Sequence, residues 1–291
     1  MSVWLPSAPC TPRGCANHHG PAAGSLRAAA RLLAGIATVL TGLLLGPVVA
    51  LLAVVLGTRF RHLATRCWAR AVVRAFGVRI RIVGGGRTPG TGGSLVVANH
   101  ISWLDIPLIA AALPGRMLAK SEVRRWPVLG PLAARGGTFF LERDRLRTLP
   151  GTVRDMASAM NGGARVIAFP EGSTWCGRAQ GRFRHAVFQA ALDAGADVQP
   201  VRISYLPTGA AAFVGEDSLA ASLRRVVAAG GLTAEIRLLP AIPAGSCPDR
   251  RSLAREAQLA VASDSANLPS VSVHQFVSSS SAAASSVRTP S

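Results

Sequence analysis

Leu95-Val96-Val97-Ala98-Asn99-His100-Ile101-Ser102-Trp103-Leu104-Asp105 changes character twice within eleven residues. It begins as an apolar run of strand length, turns polar at Asn99-His100, and enters an apolar segment, Leu104 to Leu113, with helical character. A histidine therefore stands at the mouth of a strand-to-helix turn, with a carboxylate five residues on. Neutral histidine takes a proton from an alcohol near physiological pH. A carboxylate on its other ring nitrogen fixes the tautomer and stabilises the imidazolium. If the chain curls after Ser102, Asp105 swings back under His100. The same letters also read as a capping box, Ser102-x-x-Asp105, with the acid at the positive end of a helix.

Outward from this stretch, short β runs alternate with helical ones. Strands are expected at Val78–Val83, Leu95–Ala98, Arg116–Ala119, Thr138–Leu141, Arg165–Phe169, Val198–Tyr205 and Ala234–Leu239. Helices are expected at Leu104–Leu113, Arg147–Met160, Gly181–Ala194, Ser218–Ala229 and Arg251–Ala262. Such alternation predicts an α/β fold, a mainly parallel sheet flanked by helices, over residues 77–262. Chemistry in such sheets gathers where strands end and helices begin.

Before this domain the chain is of another kind. Residues 1–25 are rich in Pro, Gly and small polar residues, which predicts disorder. A charge-free run of 26 residues, Leu32 to Gly57, lies between Arg31 and Arg59. About 20 apolar residues span a bilayer core. Arg59, Arg61, Arg66, Arg70 and Arg74 crowd its far side, which places the following domain in the cytoplasm at the cell membrane. Gly46-Pro47 divides the run, so it reads as a kinked span or as a helical hairpin in one leaflet. His62 to Phe76 has an amphipathic basic pattern, suited to a lipid surface or to packing on the domain behind it. Residues 26–76 are thus expected to be a membrane-associated helical segment, and the Ser/Ala-rich residues 263–291 a disordered tail.

Composition narrows the partners. The net charge of +18, with 49% hydrophobic residues, suits an anionic membrane surface. Aromatics are scarce and no RNA-binding signature appears, which argues against nucleic acid. Cys10, Cys15, Cys67, Cys176 and Cys247 form no C-x-x-C pair, so their spacing indicates neither a metal site nor a disulfide framework. Free thiols in a reducing compartment fit best.

Three further blocks follow the His100 turn. Gly137-Thr138-Phe139-Phe140-Leu141-Glu142-Arg143 is a strand ending in charge. Arg143 at its end is suited to grip a phosphate or carboxylate, or to pair with Glu142 or Asp144. Phe169-Pro170-Glu171-Gly172-Ser173-Thr174 also follows a strand. Gly172 lets backbone approach a ligand, and the hydroxyls of Ser173 and Thr174 can bind oxyanions; an ordinary Pro-Glu-Gly turn has the same letters. In Val198-Gln199-Pro200-Val201-Arg202-Ile203, Pro200 asks for a sheet edge, a bulge or a special approach.

Together, in this order, the blocks resemble those of the glycerophospholipid acyltransferases, the family of the 1-acylglycerol-3-phosphate acyltransferases. Asn99, His100 and Asp105 match N-H-x-x-x-x-D, Gly137 to Arg143 resembles the second block, Phe169 to Ser173 matches F-P-E-G-[ST], and Val198 to Ile203 resembles the proline-centred fourth. Lys120 also stands where the family usually has a lysine. The resemblance covers roughly residues 60–245. It implies transfer of a fatty acyl group from acyl-CoA or acyl carrier protein to the hydroxyl of a lysoglycerolipid, 1-acylglycerol-3-phosphate in the first instance. His100 would be the base and Asp105 its orienting partner; Gly137, Arg143, Glu171, Gly172 and Ser173 would hold the acceptor. Neither metal nor cofactor is expected, because a thioester donor is already activated. One departure stands out. Thr174-Trp175 replaces the arginine and serine of many phosphatidate-forming members, which opens the acceptor to a lyso-ornithine lipid or another lysophospholipid. The rivals are a lipid-binding protein without catalysis and a hydrolase; no G-x-S-x-G elbow supports the latter.

Overall fold

The computed structural model describes residues 8–17, 20–84, 92–127, 129–142 and 146–263. Residues 1–7, Arg143 and the tail from residue 264 lie outside that set. All seven expected strands form: β1 (Arg79–Val83), β2 (Ser94–Ala98), β3 (Arg116–Lys120), β4 (Phe139–Leu141), β5 (Arg165–Ala168), β6 (Asp197–Leu206) and β7 (Thr233–Leu238). They make one sheet in the order β1-β7-β6-β2-β5-β3-β4. β6, β2, β5, β3 and β4 run parallel, while β7 is antiparallel to β6 and β1 runs with β7. Every residue of β2 is buried, as an uninterrupted apolar run at the centre of a covered sheet should be.

The helices are α1 (Pro12–Cys15), α2 (Ser25–Ala75), α3 (Asp105–Ala112), α4 (Leu129–Arg135), α5 (Leu149–Asn161), α6 (Ala186–Asp193), α7 (Thr208–Ala211), α8 (Leu219–Ala228) and α9 (Arg250–Ser263). Two hydrophobic clusters lie on opposite faces of the sheet. One joins Val96, Leu104, Leu108, Ile203 and Val226 with the end of α2; the other joins Leu95, Val97, Met156, Phe188 and Leu253 from the α5, α6 and α9 side. The alternation of β2 between the two clusters is the period-2 rule at work.

Pro200 sits inside the sheet rather than at its edge. The Leu239 N–H donates to the Pro200 carbonyl at 3.1 Å, where the β6–β7 pairing ends. Proline cannot return the second bond of that pair. The Gln199 side-chain amide donates to the Leu239 carbonyl instead, so no acceptor is orphaned.

α2 is one element in name only. Gly57 has φ 81° and ψ −179°, a region that only glycine enters readily, and the chain doubles back there. Trp68 Nε1 donates to the Thr38 carbonyl at 2.9 Å, although a continuous helix would hold these residues about 45 Å apart. A side chain at Gly42 would strike the Trp68 ring, and one at Gly35 the Phe76 ring. The reversal is therefore at Gly57, with Pro47 left inside the first arm. Ala69, Val72, Val73 and Phe76 are buried on the domain, so this face of the amphipathic arm packs against protein. Leu44, Leu51, Val54 and Val55 near the bend are exposed. Arg31 anchors the first arm by donating to the carbonyls of Val227 and Ala229, both at 2.9 Å.

Part of the region expected to be disordered is packed. Thr11 caps α1 through its hydroxyl, Cys10 and Cys15 are buried against Cys176 and Val214, and Ala16 is buried as well. Sulfur and alanine side chains bury apolar surface without needing the periodic pattern that marks a helix or strand.

Candidate active site

The parallel register of β2 and β5 assembles the site. Val97 pairs with Ala168, so the turns that follow the two strands leave the sheet side by side. One carries His100 and the other Glu171.

His100 Nδ1 and Asp105 Oδ2 are 2.8 Å apart. The same oxygen accepts the backbone N–H groups of Ile101 at 2.6 Å and Ser102 at 2.9 Å. The bond from Ser102 is one half of a capping box, and the Ser102 hydroxyl accepts from Leu104 N at 3.3 Å. Both readings of the turn thus hold in one carboxylate, which braces the start of α3 while it orients the imidazole. Asp105 is fully buried and the His100 side chain 20% exposed. With Nδ1 engaged, Nε2 is the nitrogen free to accept a proton.

A residue that the linear pattern did not single out completes this unit. Tyr205 on β6 is buried and donates its hydroxyl to Asp105 Oδ1 at 2.5 Å. Burial raises the phenol well above its ordinary value, and the Asp105 charge adds to this, so it remains a donor. It is the chain's only tyrosine, the one available signal. Asn99 locks the turn from the same side. Its amide donates to the Ile203 carbonyl at 2.9 Å and accepts from Ile203 N at 2.8 Å, extending the β2–β6 pairing by one step.

The block after β5 holds His100 in place. The Phe169 ring stacks on the imidazole at 4.2 Å between centroids, tilted by 18°. Glu171 Oε2 accepts the His100 N–H at 2.7 Å, and Trp175 N donates to the His100 carbonyl at 2.7 Å. Glu171 Oε1 accepts from Gly181 N at 3.0 Å. Both of its oxygens are engaged and the residue is buried, so Glu171 braces the backbone at His100 and Gly181. Burial pushes its carboxyl up to about 8; the two N–H donors oppose this and Asp105 reinforces it.

Gly172 has φ +76° and closes a tight turn through its N–H to the Phe169 carbonyl at 3.1 Å. The Ser173 hydroxyl is buried and makes no hydrogen bond among the described residues. Gly137 stands elsewhere. It precedes β4 at the end of the sheet opposite His100, and its carbonyl accepts from Arg116 Nε at 2.8 Å. Its role is to turn the chain at φ +70°, because a strand's entry and exit face opposite ends. Arg143 falls outside the described residues. Arg178 approaches the Gly14 carbonyl at 3.5 Å, and Arg182 lines a separate cleft with His185 and Arg251. Lys120 ends β3 with its ammonium 5.9 Å from the Trp126 ring.

Comparison with known proteins points to one family. A family model described as Acyltransferase matches residues 79–204. The chain is 38% identical over 209 residues to the lyso-ornithine lipid O-acyltransferase of Pseudomonas aeruginosa, covering 70% of this chain and 79% of that protein. It is 35% identical over 183 residues to the 1-acyl-sn-glycerol-3-phosphate acyltransferase of Neisseria gonorrhoeae, covering 60% of this chain and 72% of that protein. The crystal structure of a 1-acyl-sn-glycerophosphate acyltransferase from Thermotoga maritima superposes with a TM-score of 0.65 over 82% of this chain and 95% of that one. At 18% identity, that likeness concerns the fold.

Proposed function

The chain belongs to the acyltransferase family, and from that premise we propose that it moves a fatty acyl group from acyl-CoA or acyl carrier protein to the free hydroxyl of a lysoglycerolipid. In this reading His100 Nε2 takes the hydroxyl proton as the oxygen attacks the thioester carbonyl. Collapse of the adduct breaks the carbon–sulfur bond, and the proton passes from the imidazolium to the departing sulfur. Asp105 holds the ring and offsets its charge, while Tyr205 holds Asp105. A base so placed contributes about 10²–10⁴-fold, and alignment of the two substrates contributes much of the remainder. The observation that carries the proposal is the His100–Asp105 contact of 2.8 Å at the mouth of β2.

The hairpin bent at Gly57 supports membrane association, with its exposed leucines and valines entering lipid and the arginine-rich arm facing anionic head groups. The domain then stands on the cytoplasmic side. Ser173, with its hydroxyl unengaged among the described residues, is the acceptor contact we favour on the β5 turn.

The acceptor has two readings. 1-Acylglycerol-3-phosphate follows from the block pattern. Thr174-Trp175 favours a lyso-ornithine lipid, because it puts no cation beside Ser173, and relatives of both kinds exist. The test is acyl transfer by the purified chain in mixed micelles, with labelled acyl-CoA or acyl carrier protein and the two acceptors side by side. Labelled diacyl product that disappears with His100→Ala supports the proposal. No product from any lysolipid, or unchanged turnover in His100→Ala, refutes it.

A further inference from the structure

Cys10, Cys15 and Cys176 bring their Sγ atoms within 4.8 Å of one another, and all three side chains are buried. They come from two segments more than 160 residues apart in sequence. The short helix α1, capped by Thr11, brings Cys15 round to Cys10, and the turn after β5 presents Cys176. Val214 and the partly buried Ala8 and Trp175 complete the shell. Cys67 is exposed and Cys247 half-buried, so neither belongs to the group.

A disulfide would use two of these sulfurs and strand the third. A single soft cation uses all three. We propose that Cys10, Cys15 and Cys176 bind one thiophilic d¹⁰ cation of the Zn²⁺ class, with its fourth position left to water or a small anion. Zinc–thiolate bonds of about 2.3 Å place sulfurs about 3.8 Å apart around one ion. The present spacing therefore has to close by about 1 Å at most, within reach of side-chain rotation. Coordination displaces one proton from each sulfur, and the +2 ion with three thiolates leaves the site at −1 in a chain of net charge +18. The ion would join residues 10–15 to Cys176, the neighbour of Trp175, whose N–H holds the His100 carbonyl.

The test uses the full chain, freed of metal by a chelator under reducing conditions and titrated with Zn²⁺ or Co²⁺. One equivalent of Co²⁺ should bind with sulfur-to-metal charge-transfer absorbance and visible bands of tetrahedral intensity. In mild denaturant, which opens buried thiols, alkylation of the unsubstituted metal-free chain should label all five cysteines, whereas Zn²⁺ should protect Cys10, Cys15 and Cys176 and leave Cys67 and Cys247 labelled. Since outer-shell changes alone cost about 10–100-fold in affinity, Cys10→Ser and Cys176→Ser should each weaken Co²⁺ binding more than about 100-fold, and Cys67→Ser should leave it unchanged. Because the footprint is read on the unsubstituted chain, it stands even if a variant fails to fold. Absence of protection, Co²⁺ binding without sulfur charge transfer, or a disulfide between any two of the three in the freshly isolated chain overturns the proposal.

Discussion

Tyr205 donates its hydroxyl to Asp105 across 100 residues of sequence, at 2.5 Å and in the buried interior of the domain. Asp105 thus has donors on both oxygens, and the face it offers His100 cannot rotate away. Tyr205→Phe keeps the ring and deletes this donor. An unsatisfied buried carboxylate oxygen costs about 1–3 kcal/mol. Lower thermal stability and a kcat reduced by about tenfold are expected, since about 1.4 kcal/mol of transition-state stabilisation is a factor of ten, with KM for the thioester unchanged. A variant with wild-type kcat would show that the phenol is packing alone.

Asp105→Asn tests the tautomer. An amide that turns its N–H to Nδ1 places the imidazole proton on Nε2 and removes the base; one that keeps its oxygen toward Nδ1 and the N–H groups of Ile101 and Ser102 removes the charge that offsets the imidazolium. By comparison with the same change in serine proteases, kcat should fall by as much as about 10⁴-fold. Steady-state kinetics read beside a circular-dichroism spectrum separate this from unfolding. Activity within a few-fold of wild type would exclude a dyad.

Glu171 sets a pH dependence of stability. Its carboxyl is raised from 4.5 to about 8, chiefly by burial, so the folded state favours the protonated form. For a raised carboxyl the contribution is complete below pH 4.5 and is lost as pH rises through about 8. Melting temperature should therefore decline across that window. Glu171→Gln cannot ionise and should flatten the decline, while sacrificing one of the bonds to His100 N and Gly181 N at all pH values. Parallel pH curves for the two proteins would mean that Glu171 is ionised throughout.

Ser173 has a buried hydroxyl with no partner among the described residues, so Ser173→Ala should leave the melting temperature unchanged or slightly raised. If that hydroxyl meets the acceptor, KM for the lysolipid should rise by about tenfold, the worth of one hydrogen bond, with KM for the acyl donor unaffected. Saturation curves for both substrates decide it. A donor-side effect would move Ser173 to the other half of the site.

The hairpin can be tested at two glycines. Gly57→Ala forces a side chain into a conformation of φ 81° and ψ −179° and should cost about 1–3 kcal/mol. Gly46→Ala, in open space within the first helical arm, should stabilise the helix by up to about 1 kcal/mol. Melting temperatures in one detergent compare them. Equal effects would place the bend elsewhere.

The sequence by itself determined what neighbours along the chain can encode. The apolar run before Asn99, the polar turn and the helix after it follow from side-chain period and from Ser102 and Asp105 lying one helical turn apart. All seven strands, the α/β class and the His100–Asp105 contact were legible for that reason, as was the apolar segment from Leu32. Tertiary structure decided what depends on strand order and direction. The sequence β6-β2-β5 brings Tyr205 and Glu171 to either side of His100, and lets Glu171 brace its backbone. The direction of β4 sends Gly137 to the far end of the sheet, although its block lies beside the others in the resemblance. Three cysteines with no telling spacing meet because α1 packs on the turn after β5. Local pattern carries no record of such meetings: a contact across 100 or 160 residues is fixed by which surfaces the whole chain buries together.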